Sequence, residues 1–102
     1  MGEYRVQFSI GARQDFEDIY HNSQSRWSFE QTDAYVIEIE KRCFGLSHMP
    51  QRVGFDLHTR NEKTFRSFAY KAHKVFFTID EATKTVNIVA VLPSRTKYSA
   101  KL

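Results

Sequence analysis

Residues 28–46, SFEQTDAYVIEIEKRCFGL, carry the clearest helical pattern in the chain and decide its fold class. Ser28 followed by Gln31 fits a capping box, in which each side chain accepts a hydrogen bond from the other residue's backbone N–H. Apolar or small side chains then recur at steps of three and four, which places them on one face of a helix. These side chains are Phe29, Thr32, Val36, Ile39, Cys43 and Leu46. So long a seam predicts that this helix packs against a second one.

A shorter helical stripe precedes this stretch and supplies the second helix. Its members are Ala12, Phe16, Ile19 and Ser23. Ser9 can cap this helix, and the turn between the two helices falls near Arg26 and Trp27, so we expect an antiparallel hairpin. Residues 4–10 alternate in character over the length of a strand before the first helix begins.

Three strand patterns follow in the second half of the chain. Residues 63–70, 73–80 and 85–92 have the composition of strands, and the third is apolar on both faces, as a central strand is. The short polar stretch 80–84 predicts an antiparallel hairpin, whereas residues 51–62 predict a loop or a short extended piece. The element order predicts an α+β fold, with an N-terminal strand and a two-helix antiparallel hairpin packed on a small, mainly antiparallel sheet.

Length and composition restrict the class of protein. The 102 residues, of which 41% are hydrophobic, predict a single domain spanning residues 1–102 with its own core. The one cysteine, Cys43, predicts a buried thiol in a reducing compartment. The start lacks a signal-peptide pattern, and no apolar run approaches the about 20 residues that span a bilayer. We therefore expect a cytoplasmic protein without a membrane partner.

Charge is divided unevenly along the chain. Residues 1–40 contain three basic and eight acidic residues, whereas residues 41–102 contain twelve basic and four acidic ones. A basic second half favours an acidic partner, which could be RNA, DNA or an acidic protein segment. Charge alone does not choose among these.

The chemically active side chains exclude some kinds of site and leave one cluster. The four histidines and one cysteine lack the paired spacings of a zinc site, so we expect no metal and no cofactor. A basic and aromatic cluster remains on the predicted strands and tail. It could stabilise the charge that develops during RNA cleavage, or it could dock an acidic peptide. The cluster consists of Lys63, Arg66, Tyr70, Lys71, His73, Lys74, Arg95, Lys97 and Tyr98.

Several local patterns, in the right order along nearly the whole chain, resemble the ParE toxins of the RelE/ParE toxin–antitoxin superfamily. Residues 4–6 (YRV) with residues 15–19 (DFEDI) are similar to the start of those proteins, and residues 25–31 (SRWSFEQ) are similar to their R-W-G-x-E-Q-A segment. Residues 46–50 (LSHMP), 73–77 (HKVFF) and 89–95 (VAVLPSR) resemble the later motifs, with the tail closing at the C-terminal leucine.

The resemblance implies the fold predicted above, a role in growth arrest and plasmid stabilisation, and a cognate antitoxin protein as partner. ParE toxins poison DNA gyrase, whereas the similar RelE and YoeB toxins cleave mRNA on the ribosome. Lys74 stands where those nucleases carry an arginine, and Lys97 stands where the tail of YoeB has a histidine. Both departures weaken the nuclease set, since lysine lacks a forked guanidinium and does not titrate near neutral pH.

The preferred hypothesis is a non-enzymatic inhibitor of DNA gyrase. Its expected target- and partner-binding residues are Arg26, Trp27, Phe29, Arg66, Arg95, Tyr98 and Leu102. The alternative is a RelE/YoeB-like, ribosome-dependent mRNA endonuclease, whose catalytic residues would be His73, Lys74, Arg95 and Tyr98. A third possibility is a degenerate member that is retained only as a partner of its antitoxin.

Overall fold

The computed structural model describes residues 3–23, 26–52, 56–60 and 63–95, with the backbone alone at residues 56–60 and at Lys63. Its helices and strands follow one another in the order that the sequence predicts, with one strand added. They are β1 Arg5–Phe8, α1 Ile10–Ser23, α2 Phe29–Phe44, β2 Asp56–Arg60, β3 Lys63–Tyr70, β4 His73–Asp80 and β5 Thr85–Pro93. Two short 3-10 turns, Gly45–Ser47 and Pro50–Arg52, follow α2.

The strands form one five-stranded sheet in the order β1-β5-β4-β3-β2. β1 runs parallel to β5, with Arg5 opposite Thr85 and Phe8 opposite Ile88. The other three pairings are antiparallel, including the predicted hairpin of β4 and β5. The predicted fold class is therefore confirmed. β2 lies within residues 51–62, where the extended piece was the correct one of the two expectations.

Both helices begin at capped ends. The Ser28 hydroxyl accepts a hydrogen bond from the Gln31 N–H at 3.2 Å, and the Gln31 side chain accepts one from the Ser28 N–H at 3.1 Å, which confirms the predicted capping box. At the start of α1, the Ser9 Oγ accepts a hydrogen bond from the Ala12 N–H at 3.0 Å. The same hydroxyl donates to the Val89 carbonyl at 3.2 Å, so the cap also fixes α1 to β5.

The main core lies between the helix pair and one face of the sheet. From α2 it contains Thr32, Tyr35, Val36, Ile39 and Cys43, and from α1 it contains Ala12, Phe16 and Ile19. These side chains pack against fully buried sheet residues such as Val75, Phe77, Val86 and Ile88. Burial confirms both predicted helical stripes except at Ser23, which is half-buried at the end of α1, and at Phe29.

Phe29 is the exception to the predicted seam. It occupies the first position of α2, at the tip of the hairpin, where its side chain is 69% exposed. Its ring stacks on Tyr20 at a centroid distance of 5.7 Å instead of entering the core. Tyr35, which the seam omitted, is buried in its place. The spacing of three and four places Phe29 in line with the seam, but α1 and the sheet do not cover the first turn of α2. The prediction that Phe29 packs in the seam was therefore wrong.

A polar network far from the hairpin tip joins Tyr4, before β1, to two later turns of the chain. The Tyr4 hydroxyl donates to the Glu81 Oε1 at 2.5 Å, and the Gln51 Nε2 donates to both the Tyr4 hydroxyl and the Glu81 Oε2 at 2.6 and 2.9 Å. The hydrogen bonds from Tyr4 and Gln51 hold the pKa of Glu81 below its usual value. This network ties β1 and the second 3-10 turn to the turn between β4 and β5.

The capping box allows a direct test of local stability. We expect Ser28→Ala to lower the free energy of unfolding by about 1 kcal/mol. The Gln31 N–H loses its side-chain acceptor, and the hydrogen bond from the N–H of residue 28 to the Gln31 side chain loses its geometry. Ser28→Asp is the matched control and should keep most of the stability, because aspartate also caps helices. Urea unfolding monitored by circular dichroism measures both variants. Equal losses in the two would show that the cap does not stabilise α2.

Candidate functional site

Three loops meet at one end of the sheet and form the part of the molecule that we call the turn end. They are the α1–α2 turn at residues 26–28, the β3–β4 turn at Lys71 and Ala72, and the exit from β5 at residues 93–95. Pro93 lies opposite His73, and the Ser94 N–H donates to the Ala72 carbonyl at 2.9 Å. The end of α1 lies against the same strands, because Asn22 and Ser23 line one cavity with His73 and Pro93.

Each of these loops presents an exposed cation. Arg26, Lys71 and Arg95 belong to the first, second and third loop, respectively. Three like charges on neighbouring loops favour an anionic or strongly polar partner. The basic half of the sequence supplies two of them, whereas Arg26 comes from the acidic half. The fold therefore produces a positive surface that the linear charge pattern shows only in part.

The hairpin tip carries two of the three exposed aromatic side chains of the described residues, and the third, Phe44, lies at the other end of α2. The Trp27 side chain is 44% exposed, and its ring contacts Tyr35 edge to face at a centroid distance of 5.5 Å. The Phe29 ring, stacked on Tyr20, forms a second aromatic surface beside it. The Tyr20 hydroxyl donates to Asp33 at 2.5 Å, and this hydrogen bond, with burial, raises the pKa of Tyr20 to about 12. The Trp27 and Phe29 rings of the tip are thus supported from behind by Tyr35 and Tyr20.

His73 is held by α2 and has a structural role. Its Nδ1 lies 2.7 Å from the hydroxyl of Tyr35, and the two rings meet at a centroid distance of 5.5 Å. Burial lowers the pKa of His73 and raises the pKa of Tyr35, so both side chains are neutral at pH 7. This pair joins β4 to α2 directly below the turn end.

His73 and Lys74 project to opposite faces of β4. Val75 and Phe77, which follow His73 at steps of two, lie in the core under the helices, whereas Phe76 packs with Ala90 on the other face. His73 and Lys74, two of the four residues of the nuclease hypothesis, therefore do not face one phosphate from the same side of the strand.

The remaining predicted residues lie in several places. Arg95 is exposed at the exit from β5, close in the sequence to Pro93 at the turn end. Arg66 lies opposite Phe77, and its Nη1 donates to the Gln51 carbonyl at 3.4 Å, so it belongs to the region of the second 3-10 turn. Tyr98 and Leu102 lie outside the described residues, as does Lys97. The turn end thus gathers Arg26, Trp27, Phe29 and Arg95, and it does not include Arg66.

Sequence reasoning missed three side chains beside this surface. Lys71 appeared only as one member of a long basic cluster, although its backbone φ of 50° marks it as unusual. Tyr35 lies between Trp27 and His73, and no spacing in the sequence signals that position. Arg42 places its guanidinium 4.7 Å from the centroid of the Tyr70 ring, a contact that depends on how α2 crosses β3.

Neither a metal site nor a membrane-spanning helix is present in the described part of the chain. Residues 3–23, 26–52 and 63–95 contain no group of three or more His, Cys, Asp or Glu side chains placed to hold a metal ion. No described helix has the length and apolar character that crossing a bilayer requires.

Solved structures with this architecture define the class of protein. A chain of the toxin–antitoxin complex RelBE2 from Mycobacterium tuberculosis is 26% identical, with a TM-score of 0.64 over 94% of this chain and 97% of that chain. A chain of the chromosomal ParDE toxin–antitoxin system from P. aeruginosa is 13% identical, with a TM-score of 0.74 over 91% of this chain and 98% of that chain. The helix hairpin on its sheet is therefore the fold of RelE/ParE-like toxins.

The family follows from the sequence itself. The model of the ParE toxin of type II toxin–antitoxin systems, parDE, matches residues 6–98. The chain therefore belongs to the ParE toxin family, and it is a toxin of a type II toxin–antitoxin system. No curated protein sequence matches the chain.

The lowered pKa of His73 makes a prediction about pH. Because the folded pKa lies below 6.5, the unfolded chain binds this proton more readily than the folded protein. The contribution of neutral His73 to the free energy of unfolding is therefore present above about pH 6.5, and it is lost as the pH falls toward the folded pKa. We expect His73→Asn, which keeps a polar atom near Tyr35, to lose less stability than the natural chain between about pH 7.5 and pH 5.5.

Chemical denaturation at several pH values measures this difference. His21→Asn is the matched control, since His21 is solvent-exposed near the end of α1, and its pH dependence should follow that of the natural chain. Glu81 does not interfere, because a carboxylate with a lowered pKa loses its contribution only below its ordinary value of 4.5. Identical slopes for His73→Asn and the natural chain would contradict the prediction.

Proposed function

We propose that this toxin inhibits DNA gyrase through a protein surface at the turn end and that a cognate antitoxin neutralises it. The match to the ParE toxin family over residues 6–98 carries the proposal. ParE toxins poison gyrase, as the resemblance in the sequence implied. The inhibition requires no catalytic group of the toxin itself, only a surface that binds the enzyme and holds it in one state.

The turn end has the composition of a binding surface. Aromatic side chains that are partly exposed on rigid supports are the residues that contribute most to protein–protein affinity. Trp27 and Phe29 have this character, with Tyr35 and Tyr20 behind them. The cations Arg26 and Arg95 border them and would favour approach to an acidic protein or to a DNA-bound complex.

Cleavage of mRNA on the ribosome is the second candidate, and the similarity to a chain of the RelBE2 complex favours it. Against it stands the geometry of β4. His73 turns toward α2 and bonds to Tyr35, whereas Lys74 lies on the other face, so a general base and a stabilising cation are not side by side. The gyrase proposal needs no such arrangement.

The antitoxin is the expected partner on genetic and structural grounds. Both similar structures are toxin–antitoxin systems, and the parDE family name refers to such a pair. We expect a segment of the antitoxin to lie in an apolar groove of the toxin as a helix or a strand. The basic second half of this chain would suit an acidic segment. Gyrase, the ribosome and the antitoxin would all be met in the cytoplasm.

A supercoiling assay with purified gyrase tests the target. We expect micromolar toxin to reduce supercoiling of a relaxed plasmid and to increase the fraction of linear DNA after protein digestion. Pre-incubation with the antitoxin should abolish both effects. Unaffected supercoiling, together with codon-related cuts in mRNA on translating ribosomes, would reject the proposal in favour of the nuclease. Overexpression that arrests no growth would reject both and indicate a degenerate member.

The hairpin tip can be tested with a pair of variants. Phe29→Ala removes an exposed ring at the tip, and we expect about tenfold more toxin to be needed for half-inhibition. Ile10→Ala is the matched control, because Ile10 is 78% exposed but lies at the start of α1, away from the tip. Ile10→Ala should inhibit like the natural toxin. Equal inhibition by both variants would remove the tip from the gyrase surface.

A further inference from the structure

A pocket of about 510 Å³ lies beside the hairpin tip, on the side away from Phe29. The pocket is open to solvent between α2 and the β3–β4 turn. Its lining residues are Trp27, Gln31, Ala34, Tyr35, Glu38, Tyr70 and Lys71. Nothing in the gyrase proposal uses this pocket, except that Trp27 forms its outer wall.

Aromatic rings form one wall and the floor of the pocket. Tyr35 contacts Trp27 on one side and Tyr70 on the other, at centroid distances of 5.5 and 5.4 Å. Tyr35 is buried and its hydroxyl is bound to His73, so the floor is rigid. Trp27 is the most exposed ring of this series, at 44%, whereas Tyr70 is half-buried, and a flat ligand could therefore lie against Trp27.

One cation, Lys71, lines the opposite wall, and a second, Arg42, lies next to the pocket and lines a neighbouring cavity. The Arg42 guanidinium lies 4.7 Å and the Lys71 ammonium 5.4 Å from the centroid of the Tyr70 ring. Tyr70 thus orients both charges at the rim by cation–π attraction. Glu38 is the one carboxylate of the lining, and its Oε2 lies 3.4 Å from the Arg42 Nε. The balance at the rim is positive.

The conformation of Lys71 is a second observation at the same place. Its φ of 50° lies in the left-handed region, which glycine and asparagine adopt more readily than lysine. The turn between Tyr70 and His73 has only two residues, so this conformation is needed to close the hairpin. A lysine in this position costs stability that a glycine would not, and its side chain is directed to the pocket.

We propose that this pocket binds one nucleotide unit of a single-stranded nucleic acid, with the base against Trp27 and the phosphate at Lys71, on the side of the pocket next to Arg42. Interleaved aromatic and basic side chains are the general means by which proteins bind single strands without sequence preference. The site is separate from the nuclease hypothesis, whose residues His73 and Lys74 do not line it. It also does not depend on gyrase as the target.

The pocket favours a nucleotide over an acidic peptide. A nucleotide keeps its flat ring and its charge several ångströms apart, as the pocket keeps Trp27 apart from the cations. The Glu38 carboxylate can accept hydrogen bonds from the amino or ring N–H groups of a base. Bases also stack well on a tryptophan ring.

The single tryptophan makes the test direct, because its fluorescence reports on the wall that this pocket shares with the neighbouring cavity beside Phe29. We expect short oligothymidylate and oligoadenylate strands to quench the Trp27 emission of the purified toxin. The affinity should fall as salt concentration rises, since phosphate contacts release counterions. An acidic peptide that contains a tyrosine is titrated in parallel. Quenching by the peptide but not by the oligonucleotides would overturn the proposal and assign the pocket to a protein.

A pair of lysine variants separates binding from folding. Lys71→Gly removes the charge and relieves the positive φ, so the variant should melt no earlier than the natural protein. We expect its affinity for a labelled oligothymidylate, measured by anisotropy, to fall about fivefold, with a shallower dependence on salt. Lys84→Gly is the matched control. Lys84 also has a positive φ, of 54°, but it lies in the β4–β5 turn at the other end of the sheet.

The outcomes are distinct. Lys84→Gly should bind like the natural toxin, and Trp27→Ala should lose about tenfold or more of the affinity. Equal affinities of Lys71→Gly and Lys84→Gly, in proteins that both fold, would overturn the assignment of the phosphate position. Because these titrations contain no gyrase, a failure here leaves the proposed target untouched, and a failed supercoiling assay leaves this pocket untouched.

Discussion

The parallel pairing of β1 with β5 is the constraint on which the rest of the structure depends. Parallel neighbours cannot be joined by a tight turn, so the chain must pass through other elements before β5 completes the pair. Ser9 lies at the end of β1, and its hydroxyl binds both the start of α1 and the Val89 carbonyl. The direction of α1 is thereby fixed against β5, and α2 returns beside it. The loops that meet at the turn end are brought together by this arrangement.

Val89 has a further part in this junction. The register of β4 and β5 shifts between Phe76 and Phe77, because Phe76 pairs with Ala90 whereas Phe77 pairs with Ile88. Val89 is the extra residue of this β-bulge, and its carbonyl turns to the Ser9 hydroxyl instead of serving the regular ladder. A local irregularity of the sheet thus provides the anchor for the first helix.

Much of the fold could be predicted because its signals are local. The capping box of Ser28 and Gln31 and the alternation of β4 depend on residues a few positions apart. The exposure of Phe29 could not be predicted from the helical step, since it depends on where the neighbouring elements stop covering α2. β2 was ambiguous because residues 51–62 are polar and contain few of the side chains that mark a strand.

The candidate site was predicted less completely, because contacts between elements that are far apart in the sequence bring its residues together. Trp27 and Arg95 are far apart in the sequence, and the register of β4 against β5 is needed to bring their loops to one end. One part of the site could have been predicted from the sequence. Because neighbouring residues of a strand face opposite sides of the sheet, His73 and Lys74 lie on different faces of β4. The contacts of Arg42 and Lys71 with Tyr70 come from the crossing of α2 over β3, which no local pattern contains.

The buried cysteine has a practical consequence. Cys43 lies in the core on α2, and burial raises the pKa of its thiol to about 12. A thiol must reach solvent and ionise before it reacts, so alkylation can proceed only when the helix pair lifts from the sheet. The rate at which Cys43 is alkylated therefore measures how often the core opens. The one tryptophan, which is partly exposed, can therefore report on binding, and the one cysteine, which is buried, can report on unfolding.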